Sequence, residues 1–448
     1  METVSTRSAQ PEPCDTQRRP VQSSLLGRGF LSLLTTQFFG AANDNILKGV
    51  IVFMVIDGVW KGQLGEGGQG IVGLCFSLPF IVLSGYAGQF ADRHSKRDVS
   101  VMVKLIEIPI TVVALIGFSM GNLWITLASL VALTSQSAFF GPAKYGMIPE
   151  IVDEGELSRA NGTINMMTNV AAIVGTLAAG VISDRYSPNA HLGGAVVEPL
   201  RWLPGSVLLA VAVAGLASVL FLTRLEPGDR ALKYDLNPLS TYAISLRKMA
   251  KSHLLMVALA WGYFYLLAGL ALLIVPEYSV ILSTSHASTS GLLGVLAVAI
   301  GSGSLAAGLI SGHQIRPRLI PLGAFGMTVF FVLLGVLPPT FTSVALLILG
   351  AGFSAGFYIV PLQALLQKLS PDDERGRFLG TANSISFGFL TVASLLFWGM
   401  RRGFETFNEN PQRIFLVCAG LMVTGSVFFL CRVGGGIFAK QAKAVDDG

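Results

Sequence analysis

The sequence predicts an all-α polytopic membrane protein of about twelve transmembrane helices arranged as two six-helix pseudo-repeats. Three observations lead there. Of 448 residues, 52% are hydrophobic and only 13% are charged, with a mean hydropathy of +0.64; that balance belongs to a chain dissolved in lipid rather than to a water-soluble globule. Apolar runs long enough to cross a bilayer recur along the whole length. Finally, Glu156-x-x-Arg159-x-x-Gly162-Thr163-x-Asn165 returns as Glu374-x-x-Arg377-x-x-Gly380-Thr381-x-Asn383 at an offset of 218 residues. At that offset Phe139-Phe140 also meets Phe357-Tyr358, and Pro142 and Pro361 agree within one residue.

Taken in order, residues 1–28 are polar, carry Arg7, Arg18, Arg19 and Arg28, and have no apolar core, so they read as a cytoplasmic lead-in rather than a cleavable signal. Spans are predicted at 30–56, 69–91, 99–119, 122–141, 160–182 and 203–223, then at 253–275, 289–311, 319–338, 341–366, 377–400 and 411–432. The longest polar stretch between spans, 224–252, divides a first six-helix bundle (29–223) from a second (253–432), and 433–448 forms a tail. Placing both ends in the cytoplasm puts 23 Lys and Arg on that side and 6 on the other, with Lys48 and Lys104 inside spans. The positive-inside rule therefore favours that orientation. The net charge of +5 reports loops facing anionic lipid, not nucleic acid.

The first span carries the richest chemistry. Gln37-Phe-Phe-Gly-Ala-Ala-Asn43-Asp44-Asn45-Ile-Leu-Lys48 places an acid, a base and three amides in apolar surroundings, and helical spacing sets Gln37, Asp44 and Lys48 on one face. A charge at the bilayer centre costs about 2.5–3.5 kcal/mol on insertion scales. Asp44 and Lys48, four apart, are thus expected to pair with each other or to line a wet cavity. A structural ion pair is the alternative to a substrate site. In the third span Lys104 and Glu107 are one turn apart near the cytoplasmic side, where Lys104 either serves substrate or snorkels to the headgroups. In the fifth, Asn161, Asn165 and Asn169 form a polar stripe suited to substrate contact or to interhelical hydrogen bonds.

Enzyme signatures do not fit their surroundings. Gly352-Phe-Ser354-Ala-Gly356 has the spacing of a nucleophile elbow, but it lies inside a span with no strand before it. Close helix packing explains it better, as it does Gly308-x-x-x-Gly312 and Gly399-x-x-x-Gly403. His94 to Asp98 is one residue short of an acyltransferase motif. Five scattered histidines and the unpaired Cys14, Cys75, Cys418 and Cys431 offer neither metal site nor disulfide framework, so no cofactor is expected.

After the second span, Gly88-Gln-Phe-Ala-Asp92-Arg93-His-Ser-Lys96-Arg97 resembles the gate motif of the major facilitator superfamily, with Ser95 in place of a glycine. Its counterpart in the second half is degenerate: Gly308, Gly312, Arg316 and Arg318 with no aspartate. Gly88, Asp92, Arg93, Lys96 and Arg97 are therefore gating candidates, with Asp92 holding basic residues and helix ends in one state and releasing them in the other. Glu156, Arg159, Glu374 and Arg377 of the repeat join them.

Phe139-Phe140-Gly-Pro142-Ala-Lys144-Tyr145-Gly146, Asn43-Asp44-Asn45, Leu157-Ser-Arg-Ala-Asn161-Gly162 and Val360-Pro361-Leu-Gln363-Ala-Leu-Leu-Gln367 together resemble the bacterial lysophospholipid transporter family. The resemblance implies a major facilitator fold and movement of lysophospholipids, chiefly lysophosphatidylethanolamine, across the inner membrane for reacylation. It adds Lys144, Tyr145 and Gln363 to Gln37, Asp44, Asn45, Lys48, Lys104, Glu107, Asn165 and Asn169 as substrate-binding candidates. Any acyltransferase would be a separate partner of a monomeric transporter. The family carries an arginine in the seventh span, whereas the stretch from Trp261 to Pro276 offers Ala268 and no base. The nearest rivals are a proton-coupled exporter of amphipathic compounds, with Asp44 or Glu107 carrying the proton, and a non-transporting scaffold. Against the exporter, the fourth span lacks arginine and Gly175 to Gly180 lacks a Gly-Pro pair.

Overall fold

The computed structural model describes residues 27–60, 63–153, 156–188, 198–225, 240–311, 315–370, 375–406 and 409–433. The first half consists of α1 (Arg28–Ile56), α2 (Gly68–Arg93), α3 (Lys96–Met120), α4 (Leu123–Ile151), α5 (Leu157–Tyr186) and α6 (Leu203–Val219). A connecting helix, α7 (Ser240–Ala250), precedes α8 (Leu254–Ile274), which continues through a 3-10 turn (Val275–Glu277) into α9 (Tyr278–Ile281). Then come α10 (His286–Ser311), α11 (Leu319–Val336), α12 (Phe341–Leu369), α13 (Arg375–Thr406) and α14 (Ile414–Val433). Helices are the expected solution, because backbone amides in lipid must be satisfied within their own segment.

Among the described residues, eleven helices are long and apolar enough to cross a membrane, and α6 supplies a shorter twelfth. Its 17 residues reach only about 25 Å, and a turn at Leu220–Leu222 carries on where the sequence had suggested helix to 223. The structure also places a helix, α7, inside the predicted polar linker. It packs on α8 and α13 through buried Ser245 and Met249, and hydropathy does not register so short a segment. Most of the remaining linker, the lead-in to residue 26 and the tail from 434 lie outside the described residues.

Connections are short where local chemistry fixes them. Gly121 ends α3 with φ 63°, and Asn122 then caps α4, its side chain accepting from the amides of Trp124 and Ile125. At the start of α12, Thr340 and Ser343 cap each other reciprocally. Odd and even spans therefore alternate in direction. One end of the bundle, here the terminal end, carries Gly27 and Val433; the other is the distal end.

Each half has its own core. In the first, α1 runs through the middle with Leu33, Leu47, Val50, Ile51 and Met54 fully buried. The second gathers α8, α11, α12, α13 and α14 about Leu267, Leu270, Phe397 and Phe415. The halves meet along two helix pairs, α2 with α13 and α5 with α10.

Glycines permit the closest approaches. Gly352 and Gly356 lie against α10, as packing predicts for the elbow-like motif. The same expectation is not met at Gly308, Gly399 or Gly403, which have nothing within 4 Å of a would-be Cβ, and Gly312 lies outside the described residues. On α10 a Cβ at Gly303 would stand 2.0 Å from the Phe353 carbonyl oxygen, whereas one at Gly301 would meet open space. Gly303→Ala should thus destabilise the protein by about 1–3 kcal/mol. Gly301→Ala should be neutral or slightly stabilising. Unfolding of the two variants in detergent checks this, and equal stability would contradict the α10–α12 packing.

Candidate functional site

Sixteen residues along α1, about 24 Å from its start, Asp44 reaches the middle of the first half. It is 9% exposed, and its carboxylate accepts from Ser137 Oγ on α4 at 3.1 Å. Lys48 turns instead to α2, its Nζ 4.6 Å from the centroid of the Phe76 ring. The i, i+4 pair suggested by the spacing thus gives way to contacts with two different helices. Gln37 donates to Thr168 Oγ1 on α5 at 2.9 Å, while Asn45 is satisfied by the Ala41 carbonyl of its own helix.

Seven residues beyond Ser137, two turns along the same face of α4, lies Lys144. It is buried, with Nζ 4.5 Å from the centroid of the Tyr145 ring. Tyr145 is exposed and donates to Asn165 Oδ1 at 2.9 Å. Asn169, one turn further along α5, and Gln363 on α12 are also exposed. From the second half, Tyr265 on α8 lies near enough to interact electrostatically with Tyr145, and Trp261 meets its ring edge-on at 5.1 Å. The ammonium groups of Lys48 and Lys144 therefore rest on aromatic faces rather than on carboxylates, an arrangement that holds a cation while leaving it able to receive an anion.

Lys104 and Glu107 belong to a different structure. Each is 1% exposed, Lys104 Nζ is 2.6 Å from Glu107 Oε2, and Asn43 on α1 donates to Glu107 Oε1 at 2.6 Å. Gly40 makes room, since a Cβ there would come within 2.7 Å of the ammonium. Snorkelling to the headgroups is not what Lys104 does: a carboxylate one turn away and the α1 amide draw it inward. Asn161 likewise bonds its own helix, at the Leu157 carbonyl.

The two ends of the bundle differ. At the distal end, His286 at the start of α10 lies between Asp184 of α5 (2.7 Å) and Asp57 beyond α1 (2.9 Å). Arg401 of α13 donates to Glu277 at 2.8 Å and to Glu66 of the first half at 2.6 Å, and Gln69 of α2 donates to Glu277. Below these ion pairs, Ser77 and Thr391 share a 2.7 Å hydrogen bond and Phe80 stacks on Phe387 at 4.6 Å. At the terminal end lie Lys96 with Glu150 (2.5 Å), Arg97 with Asp98 (3.3 Å) and Arg159 with Glu156 (2.9 Å), each pair within the first half. Asp92 is exposed, Arg93 is half-buried, and Gly88, Gly162, Gly308 and Gly380 have nothing within 4 Å of a would-be Cβ. Glu374 and the Arg377 side chain lie outside the described residues. The halves are thus clasped at the distal end.

Twelve spans in two such halves match a known family: the profile of the Major Facilitator Superfamily covers residues 30–395. The chain belongs to that superfamily. As a major facilitator it is a multi-pass membrane protein and a secondary transporter, not an enzyme. A lysophospholipid transporter of Yersinia enterocolitica is 30% identical over 398 residues, 86% of this chain and 89% of that protein. One of Cronobacter sakazakii is 30% identical over 392 residues, 84% and 89% respectively. Among solved structures, a POT family transporter in complex with a thioalcohol-conjugated peptide aligns at TM-score 0.70 and 11% identity, covering 92% of this chain and 97% of that one. A bacterial homolog of the human lysosomal transporter Spinster, inward-facing and unoccupied, aligns at 0.64 and 13%, covering 90% and 96%. These two likenesses concern the fold.

Read as a major facilitator, the chain brings Asp44 together with Ser137, and Lys144 with Tyr145 and Asn165. It sets Lys104 and Glu107 apart in a sealed cluster. The distal residues Asp57, Glu66, Asp184, Glu277, His286 and Arg401 escaped sequence reasoning. Their only signal was an acid or base near a span end, and their partners are up to 335 residues away. If the sealed cluster is structural, Glu107→Gln strands a buried ammonium and costs about 3–5 kcal/mol, whereas Lys104→Met with Glu107→Gln recovers most of that loss. Denaturant unfolding of the singles and the double checks it; a double no better than the worse single would contradict the pairing.

Proposed function

We propose that this major facilitator moves lysophospholipids, lysophosphatidylethanolamine foremost, across the bacterial inner membrane by alternating access, with both termini in the cytoplasm. The observation that carries this reading is the set of Lys48 and Lys144, cushioned on aromatic rings, with the Asp44 carboxylate on the adjoining face of α1. A lysolipid headgroup needs those charges. Its phosphate meets an ammonium, and the ethanolamine ammonium meets a carboxylate. The relatives named as lysophospholipid transporters, aligned over most of the chain, support the same substrate class.

The acyl tail stays in apolar surroundings, since each methylene moved into water costs about 0.8 kcal/mol. A polar groove for the headgroup with lateral access for the tail meets both demands. The 23 to 6 distribution of Lys and Arg turns the terminal end to the cytoplasm and the clasped distal end away from it. In this state Asp92 is released into solvent; in the opposite state it holds the loop bases and neighbouring helix ends together. The bodies that rock are 29–223 and 253–432, joined by 224–252. A separate acyltransferase consumes the lipid delivered by a monomeric transporter.

Lys144 gives a selective test. Lys144→Ala should weaken lysophospholipid binding about tenfold or more, at 1.4 kcal/mol per decade, while leaving a phosphate-free monoacylglycerol nearly unaffected. Lys144→Arg should be tolerated poorly, because the planar guanidinium is larger than the ammonium it replaces. Equilibrium binding of both ligands decides it, and equal losses would mean that Lys144 shapes the cavity without reading phosphate.

A further inference from the structure

The distal cluster has a feature that ion pairing alone does not explain. Both ring nitrogens of His286 face carboxylate oxygens, Nδ1 at 2.7 Å from Asp184 Oδ1 and Nε2 at 2.9 Å from Asp57 Oδ1. A neutral imidazole carries one N–H, so with both acids ionised one contact would set a lone pair against a carboxylate. Both contacts form only when the three groups hold one extra proton among them. Asp184 is a poor place for it. Its Oδ1 also accepts the His286 backbone amide (2.8 Å) and its Oδ2 the Ala287 amide (3.0 Å), so the carboxylate caps the N-terminus of α10.

We propose that Asp57, Asp184 and His286 form a proton-binding site that locks the distal gate. The ligand is a proton taken from the distal compartment: one is bound as the halves close there and returned as they part. The site spans the halves, since both acids belong to the first and the histidine to the second. The His286 side chain is fully buried, with Asp57 at 9% and Asp184 at 23%. Phe53 of α1 presses edge-on against the imidazole, centroids 4.8 Å apart. Among the described residues, no other titratable group on a packed element hydrogen-bonds to the three side chains. From the 275–281 segment, Glu277 is held by Arg401 and Gln69, and the Tyr278 hydroxyl is buried without a partner. Arg185 of α5 is exposed, and α12, packed along α10, has Lys368 only at its terminal end. Within the cluster Asp57 Oδ2 is buried without a hydrogen bond, as are Ser183 Oγ and Ser290 Oγ.

The sign follows from binding in one state only. With the halves apart, a solvated histidine titrates near pH 6.5. Below that pH the ring is charged in both states and the lock acts at full strength. As pH rises above it, only the closed state keeps the proton, so closure weakens until the closed cluster itself titrates.

The proposal rests on alternating access but not on the substrate, and its test uses no lysolipid. Spin labels at Val59 and Leu337, exposed distal residues of the two halves, report distance distributions by pulsed electron resonance in nanodiscs, with the native cysteines replaced by serine. Between pH 6 and pH 9 the closed-to-open ratio of the labelled protein should fall at least about tenfold, the equivalent of one pK unit. His286→Gln should abolish the slope. A ratio in the labelled protein that does not change with pH would overturn the proposal without any variant, and so would a slope retained in His286→Gln. Neither outcome bears on lysolipid binding.

Discussion

The constraint behind this structure is that an ionisable group within an apolar bundle must find a partner or a wet surface. α1 carries two such groups and several amides and distributes them over its neighbours: Gln37 to α5, Asn43 to the Lys104–Glu107 pair of α3, Asp44 to α4 and Lys48 to α2. That distribution sets α1 at the centre of the first half and fixes its rotation. With Asn43 turned to Glu107, the next residue, Asp44, faces α4, and Lys48, one turn later, reaches α2.

The polar clusters fall into two kinds with different consequences for motion. The contacts of Lys104, Glu107 and Asn43 all lie within one half and are sealed from solvent, so a movement of one half against the other would not break them. The distal contacts of His286 and Arg401 join one half to the other, so they must break whenever that end opens. A rigid body needs contacts of the first kind, and a gate needs those of the second. The stacked Phe80–Phe387 pair beneath the distal ion pairs adds an apolar seal of the kind that parts without stranding a charge.

Much of this was legible in the sequence. Apolar length alone placed the spans, because lipid admits little else. The polar face of α1 was visible from spacing, but its partners were not: an i, i+4 acid and base look like a pair until Ser137 and Phe76 offer each charge a different neighbour. Lys104 and Glu107 were readable as a turn-spaced pair, yet their burial depends on Gly40 and Asn43 of another helix. The distal gate was illegible for the same reason at greater range, with His286 and Asp57 lying 229 residues apart. Short helix α7 escaped because hydropathy detects spans, not connectors.

The central claim, that the groove carries a lysolipid headgroup between leaflets, is tested most directly by purified protein in liposomes of defined composition. Fluorescent lysophosphatidylethanolamine is added to the outer leaflet, and its protection from a membrane-impermeant quencher is followed in time. The account predicts protection well above that in protein-free liposomes, growing with protein content and suppressed by unlabelled lysophosphatidylethanolamine but not by monoacylglycerol. Protection no faster than in protein-free liposomes, with the protein folded and inserted, would contradict it.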